Sequence, residues 1–385
     1  MATDSSTTQR WFALIAMNLL VLVVLLCLIE LSATVILWVR PFVTAVRSSN
    51  SIESDGRVNS PIYSDKNAAR RMFREQSAVR IIYEPYVTWS LSRFEGTAVN
   101  IDSAGQRRTC YNTAASTDIA ALKIYMFGGS TLFGTGTDDC GTIASLLARE
   151  IAVQHPDLKF EVVNFGTTGY QSTQELMRLL RELQKGSRPE WVLFYDGVND
   201  VYAGAYSPGI PGAHENLDAI AAMFNSGVLN IARRSKTFEL VSYLQLRLTR
   251  GAGLTDEPAL ASKIRGTAET YRTNVEILAG LSHTFGFQFM AYWQPELLDG
   301  SKPMSAFEGR VAADSGILNT IYRRSYENVR ALDFHGLPFV DLSREFEHVP
   351  DDVYIDFCHM GERGNERVAR AVYNSLRDRL TKRPV

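Results

Sequence analysis

The stretch KIYMFGGSTLFGTG, residues Lys123–Gly136, decides the fold. A short apolar run, typical of a buried strand, stops abruptly at two glycines and Ser130. The glycines permit a tight turn that presents one hydroxyl at the carboxyl edge of a sheet. Ligands of open α/β sheets usually bind at this edge, so Ser130 is the candidate nucleophile. Taken alone, the same pattern fits a purely structural turn.

Three later segments complete the pattern. VVNFGTTGYQSTQEL places Gly169 in a loop after a strand that ends at Asn164, and WVLFYDGVNDV places Asn199 after the next strand. Near the carboxyl end, DVYIDFCHMGERGNERVARAV sets Asp356 three residues before His359, just ahead of an amphipathic helix. Each segment alone would be ordinary packing or an ordinary turn. Their ordered combination is far more specific and predicts one site.

These four segments resemble the blocks of the SGNH branch of the GDSL hydrolases, which contribute Ser, Gly, Asn and His in that order. The resemblance spans Lys123 to about Leu380. It implies the SGNH hydrolase fold, an α/β fold of flavodoxin-like type in which helices cover both faces of a parallel sheet. The alternation of strands and helices in the sequence predicts the same architecture.

The resemblance also implies roles for individual residues. Ser130 becomes the nucleophile, His359 the base and Asp356 the group that orients it. The backbone N–H groups of Ser130 and Gly169 and the side-chain amide of Asn199 become oxyanion donors. The chemistry fits these residue types, because a serine hydroxyl needs an adjacent imidazole and the oxyanion needs aligned donors.

One residue departs from the family pattern, whose first block usually reads Gly-Asp-Ser. The middle residue here is Gly129, and the missing aspartate leaves open how the nucleophile loop is braced. Cys110 and Cys140 flank this loop, so an oxidising compartment would allow a disulfide there, and the sequence leaves that pairing open. Cys358 is not expected to be a nucleophile, since neighbouring side chains usually point apart.

The whole-chain composition excludes several classes of partner. The 385 residues include 40 Lys and Arg against 42 Asp and Glu, a formal net charge of -2, so no nucleic-acid partner is expected. The sequence shows no His or Cys cluster with metal-ligand spacing and no phosphate-binding glycine loop. We therefore expect neither a metal nor another cofactor.

An apolar segment runs from Trp11 to Val39 and predicts one uncleaved transmembrane anchor, because a bilayer core needs about 20 apolar residues. Glu30 is costly in hydrocarbon, so we expect it near an interface or against another helix. A membrane partner near Glu30 is one hypothesis, and a side chain that reaches the headgroups is the alternative.

The charges that flank the predicted membrane span bear on its orientation. Arg10 precedes the span, whereas Arg40, Arg47 and Arg57 follow it, which taken literally would keep the domain cytoplasmic. Long domains are translocated largely regardless of flanking charge, and the resemblance implies an outward-facing domain. We predict a single-pass membrane protein whose catalytic domain is extracytoplasmic, in the periplasm or outside the cell.

The rest of the chain divides by composition. We predict an N-terminal tail at 1–10, the anchor at 11–39, a linker at 40–79, a small β-rich segment packed on the core at 80–120, and an SGNH hydrolase-like domain at 121–385. The alternating pattern breaks at about 202–267 in a helical insertion directly after the Asn199 loop. Such an insertion is a natural lid or substrate wall.

Candidate substrate contacts carry weaker signals. Gln294 follows a strand end and is a candidate contact, while Arg233 and Arg234 in the insertion would meet an anionic substrate or form a solvated helix face. Two tyrosines and a tryptophan near the start of the domain predict either a sugar-binding surface or edge packing; they are Tyr83, Tyr86 and Trp89.

The sequence thus favours a membrane-anchored serine esterase. It would remove an acyl group such as acetyl from a carbohydrate or other envelope or extracellular ester. One alternative is an O-acyltransferase that passes the acyl group to a polysaccharide instead of water. The other is a non-catalytic polysaccharide-binding or scaffold protein, although a binding module has no need for an aligned base and oxyanion donors.

Overall fold

The computed structural model describes residues 5–53, 55–115, 117–206, 212–214, 217, 235–238, 240–241, 244 and 254–380. The chain forms two compact units. The first consists of Met1–Glu53 and Asp218–Arg250, and the second of Ser54–Leu217 and Gly251–Val385.

The second unit contains all the described strands and most of the described helices. Its strands are β1 (Ile81–Glu84), β2 (Thr88–Leu91), β3 (Phe94–Glu95), β4 (Asn100–Ile101), β5 (Leu122–Gly128), β6 (Phe160–Asn164), β7 (Trp191–Asp196), β8 (Gln288–Trp293) and β9 (Phe339–Asp341). Its helices are α2 (Lys66–Ala78), α3 (Ser130–Phe133), α4 (Ile143–Gln154), α5 (Ser172–Gln184), α6 (Val198–Tyr206), α7 (Glu257–Phe285), α8 (Ala306–Asp314), α9 (Leu318–Ala331) and α10 (Glu362–Leu380).

A five-stranded parallel sheet lies at the centre, in the order β6-β5-β7-β8-β9. Numbered along the chain, these strands read 2-1-3-4-5, which is the flavodoxin-like order. The residues of β7 are buried throughout, as expected for a strand covered on both faces. The predicted parallel sheet is therefore confirmed.

The helices cover the sheet in two groups. The connection from β5 to β6 runs in the opposite direction from the later ones, so right-handed crossovers place α4 on the face opposite to α5 and α7. Helix α10 packs against α4, whereas α5, α6 and α9 pack against α7. Helices on both faces were predicted, and the two groups confirm them.

The last helix supports the loop that precedes it. Its side chains at Val368, Val372 and Leu376 are buried at a spacing of one helical turn, as the sequence pattern predicted. The helix begins at Glu362, three residues after His359. The His359 loop is thus attached directly to a packed element.

The stretch predicted as a linker at 40–79 is folded over much of its length. Residues up to Glu53 continue the N-terminal helix, and Gly56–Asn59 form one turn of 3₁₀ helix ahead of α2. Val58 and Phe73 are buried, because their apolar side chains find partners within the second unit. From Gly56 onward this stretch is part of the folded domain rather than a spacer.

Two small antiparallel pairs, β1 with β2 and β3 with β4, occupy the region where small strands were predicted. Trp89 is buried and donates from Nε1 to the carbonyl oxygen of Thr168 at 3.0 Å, so it packs at the sheet edge. Tyr83 and Tyr86 are 77% and 81% exposed. The three aromatic residues therefore separate into one packing residue and two surface residues.

The first unit contains the N-terminal helix α1, Ser5–Glu53. Its part Gln9–Val39 is long and apolar enough to cross a membrane, and its most apolar 18 residues have a mean hydropathy of 3.1; membrane anchors and signal sequences both have this length and composition. The Glu30 carboxylate accepts hydrogen bonds from the hydroxyls of Ser235 at 2.7 Å and Thr237 at 2.8 Å. The polar partner of Glu30 thus belongs to the same chain.

The predicted insertion at about 202–267 is partly built from core helices. Helix α6 continues to Tyr206 and α7 begins at Glu257, so both enter the predicted range. Most of the residues between them, including Arg233 and Arg234, lie outside the described residues.

Cys110 and Cys140 form a disulfide, with their Cα atoms 5.2 Å apart. The pairing that the sequence left open is therefore present. Cys27 and Cys358 are free thiols.

We expect the double substitution of Cys110 and Cys140 by serine to lower the free energy of unfolding by about 3 to 4 kcal/mol. The reason is that a cross-link over a sequence separation of 30 residues restricts the unfolded chain. Chemical unfolding of the full chain in detergent measures this, with Cys27→Ser as the matched control that should change little. Peptide mapping that found both thiols free in protein isolated without reductant would contradict the disulfide.

Candidate active site

Ser130 stands at the point where β5 gives way to α3. Helix α3 is a single turn, closed by a hydrogen bond from Phe133 N to Gly129 O at 2.9 Å. It ends at Gly134, whose φ of 88° is a left-handed conformation that glycine adopts without strain. Ser130 is 9% exposed, so its hydroxyl lies at the base of the turn and not on an open surface.

The Ser130 hydroxyl is joined to a continuous chain of polar groups. Its Oγ lies 2.8 Å from Nε2 of His359, and Nδ1 of the same ring lies 2.7 Å from Oδ2 of Asp356. Both ring nitrogens thus have partners, which fixes the orientation of the imidazole. A serine, an imidazole and a carboxylate in this sequence of contacts, which we call the relay, would allow the serine proton to pass to the imidazole while the carboxylate orients the ring.

A short turn delivers His359 to this position. Asp356 Oδ1 accepts hydrogen bonds from the backbone N of Cys358 at 3.0 Å and of His359 at 2.8 Å. The backbone N of Ile355 donates in turn to the carbonyl of His359 at 2.9 Å. The turn closes on itself just before α10, and the short spacing of the two residues produces the contact that the sequence led us to expect.

The electrostatics of the turn favour an ionised carboxylate. Burial acts to raise the pKa of Asp356, but the charge of His359 and the hydrogen bonds from His359 and Cys358 outweigh it and lower that pKa to about 2. Asp356 is therefore a carboxylate at any physiological pH. It can hold the imidazole in one tautomer and stabilise a positive charge on it.

Cys358 contacts the relay, because its Sγ lies 3.5 Å from Nδ1 of His359, although the two neighbouring side chains were expected to point apart. Burial and the nearby charge of Asp356 raise the pKa of its thiol well above the usual range, so the thiol stays protonated. Asp356, Cys358 and His359 bring possible metal-ligand atoms within 4.8 Å of one another. Because both nitrogens of His359 are already paired with Ser130 and Asp356, we interpret the cluster as a relay.

Two further segments meet the Ser130 turn. The loop after β6 is joined to β5 by a hydrogen bond from Thr167 N to Gly128 O at 2.9 Å, and its Gly169 has a φ of 81°. Asn199, the second residue of α6, donates from Nδ2 to the carbonyl of Tyr170 at 2.6 Å. The two segments predicted from the sequence are therefore linked to each other at the same edge of the sheet.

Gly129 explains the departure from the aspartate expected beside Ser130. A Cβ atom at this position would lie only 2.0 Å from Nδ2 of Asn199 and 3.1 Å from the carbonyl of Tyr170. Real Cβ contacts are never so short, so any side chain here would displace the Asn199 amide. Because Gly129 has no side chain, the Asn199 amide can approach the Ser130 turn.

Arg107 braces the Ser130 turn. Its Nη1 donates to the carbonyls of Phe133 at 2.7 Å and Gly134 at 2.9 Å, and its Nη2 donates to that of Thr137 at 2.8 Å. Nε lies 3.2 Å from Oδ1 of Asp139, so the guanidinium, which is 1% exposed, has an ion-pair partner. A buried charge is tolerable when it is paired and hydrogen-bonded in this way.

A buried acidic group supports the other two segments. Asp200, the residue after Asn199, accepts from the hydroxyl of Ser172 at 2.5 Å and from its backbone N at 3.2 Å. Burial raises the pKa of Asp200 to about 6. Burial and the charge of Asp196 also raise the pKa of Glu175, and burial and the charge of Asp200 raise the pKa of Asp196.

Gln294 has a different setting from the one expected of a substrate contact. It is 2% exposed, and its amide oxygen accepts a hydrogen bond from the Thr131 hydroxyl at 2.7 Å. Its backbone N donates to the carbonyl of Asp196 at 2.8 Å. Gln294 thus contacts Thr131, the residue that follows Ser130, and links Thr131 to Asp196 at the end of β7.

Arg107 and Asp200 escaped sequence reasoning for different reasons. The partners of Arg107 are mostly backbone carbonyls, which leave no residue pattern in a sequence. Asp200 was visible as the neighbour of Asn199 in the same segment, but its partner Ser172 lies near the second segment and only the fold shows that the two meet.

No protein-family model and no curated protein matches the chain. Among solved structures it is similar to LAE5, an α/β hydrolase from the metagenome of Lake Arreo, Spain, at 16% identity over 69% of this chain and 97% of that chain, with a TM-score of 0.36. It is also similar to Axe2, an acetylxylan esterase from Geobacillus stearothermophilus, at 14% identity over 66% and 94%, with a TM-score of 0.34. A third is the acetyl xylan esterase AlAXEase, at 13% identity over 66% and 100%, with a TM-score of 0.35. Identities and TM-scores this low say nothing about the site, so its interpretation depends on its own geometry.

We expect Gly129→Ala to lower the free energy of unfolding by about 1 to 3 kcal/mol, because the new methyl group would overlap the Asn199 amide. Gly280→Ala in α7 is the matched control, since a Cβ there meets nothing within 4 Å. That change should be neutral or stabilise by up to about 1 kcal/mol, as alanine favours helices. Unfolding of the full chain in detergent provides the measurement, and equal stability of the two variants would contradict the close approach.

Proposed function

We propose that this chain is a serine esterase of the SGNH type that works through an acyl-serine intermediate. The observation that carries the proposal is the uninterrupted relay from Asp356 through His359 to Ser130, at an edge where the Asn199 amide meets the same turn. A relay in which every ring nitrogen has a partner suits nucleophilic catalysis, because the base must already be aligned with the hydroxyl.

The first half of the reaction forms the acyl-serine. As Oγ of Ser130 attacks the ester carbonyl carbon, Nε2 of His359 accepts the hydroxyl proton, and the carbonyl oxygen becomes an oxyanion. The tetrahedral intermediate then collapses with cleavage of the bond to the alcohol oxygen. That oxygen takes the proton from His359, and the alcohol leaves.

The second half releases the acid. Water attacks the acyl carbon, gives its proton to His359, and forms a second oxyanion. When this intermediate collapses, Oγ of Ser130 leaves and takes the proton back. The free carboxylic acid departs and the relay returns to its starting state.

Three donors are available for the oxyanion. The backbone N–H of Ser130 stands at the start of α3, where helical N–H groups have no acceptor within the helix. An amide nitrogen carries two protons, so Asn199 keeps one N–H after donating to Tyr170. With the backbone N–H of Gly169 these groups form the proposed oxyanion hole, and such donors stabilise charge that exists mainly in the transition state.

For the substrate we propose an acylated carbohydrate of the envelope or cell exterior, with an acyl group such as acetyl. Support comes from the exposed Tyr83 and Tyr86 on the hairpin that carries Trp89. The ring of Trp89 lies against the proposed donor loop, since a Cβ at Gly169 would be 3.4 Å from it. Exposed aromatic rings on a hairpin that contacts the proposed donor loop suit the apolar faces of sugar rings.

We further propose that α1 anchors the enzyme and that the catalytic unit faces an extracytoplasmic space. The apolar length of Gln9–Val39 supports the anchor, and the disulfide between Cys110 and Cys140 supports an oxidising compartment. For Glu30 we propose that the predicted partner is the chain's own segment at Ser235–Thr237, because those residues supply its hydrogen bonds.

A fluorophosphonate probe tests the nucleophile directly. In the full chain purified in detergent, we expect labelling at Ser130, none in Ser130→Ala, and nearly none in His359→Ala. Labelling of the wild-type chain should rise with pH as the imidazole loses its proton. Labelling at another residue, or undiminished labelling of Ser130→Ala, would refute the assignment.

Hydrolysis of 4-nitrophenyl acetate separates the roles of the residues. Ser130→Ala should lose about 10⁴-fold in kcat, since the covalent route is gone. Asn199→Ala should lose about 10² to 10³-fold in kcat with little change in KM, because it removes a transition-state donor. Asn328→Ala is the matched control and should retain activity, because the Asn328 amide donates to the carbonyl of Arg324 within α9.

Contrary results have distinct meanings. If Asn199→Ala raised KM and preserved kcat, Asn199 would be a ground-state contact and its oxyanion role would be wrong. If an added oligosaccharide accepted the acyl group in preference to water, the enzyme would be a transferase that uses the same acyl-serine.

A further inference from the structure

Arg57 reaches the catalytic turn from a part of the sequence that looks like a linker. It lies in the 3₁₀ turn Gly56–Asn59, four residues after the end of α1. Its Nη1 is 4.0 Å from Oδ2 of Asp356, the same oxygen that pairs with Nδ1 of His359 at 2.7 Å. The Asp356 carboxylate thus has a cation nearby in addition to the imidazole.

Other contacts hold the guanidinium in this place. Nε lies 3.1 Å and Nη2 2.8 Å from the carboxylate oxygens of Asp55, which makes a two-pronged ion pair. The guanidinium carbon lies 4.8 Å above the ring of Phe73 in α2, within the range of a cation–π contact. Asp55 thus binds the Nε and Nη2 side of the guanidinium, and Phe73 covers one of its faces. Nη1 is the nitrogen that approaches Asp356.

The neighbouring segment is attached to the same region of the domain. The hydroxyl of Tyr63 donates to the carbonyl of Gly136 at 2.6 Å, in the loop that follows the nucleophile turn. A Cβ at Gly361, two residues after His359, would lie 2.4 Å from Ile62. The stretch around Arg57 is therefore packed on both the serine loop and the histidine loop.

We propose that Arg57 is a positioning residue of the relay, which holds the Asp356 carboxylate and sets the charge felt by His359. The inference rests on the proposed function, since it assigns Asp356 the task of orienting the base. It also makes the chain directly after α1 a part of the active site. Removal of that segment would then impair the chemistry as well as the attachment.

The charge balance around the relay gives the sign of the effect. Among the described residues, the titratable and charged groups around the Asp356–His359 pair include Arg57, Asp55, Tyr63, Cys358 and, beyond Cys358, Glu296. Burial acts to lower the pKa of Arg57, but the hydrogen bond and charge of Asp55 and the charge of Asp356 outweigh it and raise that pKa, so the cation is permanent. A permanent cation beside the pair disfavours a proton on the imidazole. Loss of the cation should let His359 keep its proton to higher pH.

The test is the rate of fluorophosphonate labelling of the full chain in detergent as a function of pH. In Arg57→Gln, the acid limb of the profile, where the labelling rate rises with pH, should have its midpoint about 0.5 to 1 pH unit higher. One unit below the wild-type midpoint, labelling should be about 3 to 10-fold slower, while the plateau at high pH stays within about 2-fold. Arg57→Lys retains the charge and should return the limb most of the way.

Arg93→Gln is the matched control, because Arg93 forms an exposed ion pair with Glu95 and its loss should leave the profile unchanged. A merely structural role for Arg57 would lower the rate at every pH and leave the midpoint where it is. An unmoved limb in Arg57→Gln would overturn the proposal, and so would an equal shift in Arg57→Lys.

A second measurement does not depend on labelling. NMR titration of the His359 ring, in full chain carrying Ser130→Ala and labelled in its histidines, should show a higher midpoint when Arg57→Gln is added. An unchanged midpoint would again overturn the role of Arg57. If the wild-type chain failed to label at Ser130, the proposed function would fail, and the ring titration would still decide whether Arg57 acts on His359.

Discussion

The active-site region depends on how closely three loops approach one another at the carboxyl edge of β5, β6 and β7. No Cβ fits at Gly129, where it would lie 2.0 Å from the Asn199 amide, or at Gly166, where it would lie 2.3 Å from the backbone N of Phe133. Interiors this dense admit no extra methylene without movement. The bare backbone at these points lets the serine turn, the glycine loop and the start of α6 share one small space. The proposed oxyanion donors and Ser130 become neighbours for that reason.

Where loops pack this closely, backbone polar groups become buried, which costs free energy. A few buried polar side chains offset that cost. Arg107 supplies donors to three carbonyls of the serine turn, and Asp200 accepts two hydrogen bonds at the start of α5. Such groups are costly to leave unpaired, so each also fixes the loops it contacts. The hydrogen bonds from Arg107 hold the carbonyls of the Ser130 turn in place. The Cys110–Cys140 disulfide joins the two segments that flank the Ser130 turn in the sequence.

Much of this arrangement was predictable because it is local in sequence. The parallel sheet follows from alternating apolar runs and helices, and the contact between Asp356 and His359 follows from a spacing that lets one turn close. The remainder depends on contacts between distant residues. Arg107 binds carbonyls, which have no sequence signature, and Arg57 stands in a polar stretch whose composition predicts a linker. Gln294 was expected at the substrate and is instead buried against Thr131, because a strand end alone does not reveal which way a side chain points.

The central claim is that Ser130 carries the acyl group during turnover. The most direct measurement is acid quenching of the full chain during hydrolysis of 4-nitrophenyl acetate, followed by mass analysis of its peptides. The account predicts an acetyl group on the peptide that contains Ser130, accumulating in a burst before steady turnover. Steady hydrolysis without any acylated peptide, or an acetyl group on another residue, would contradict it.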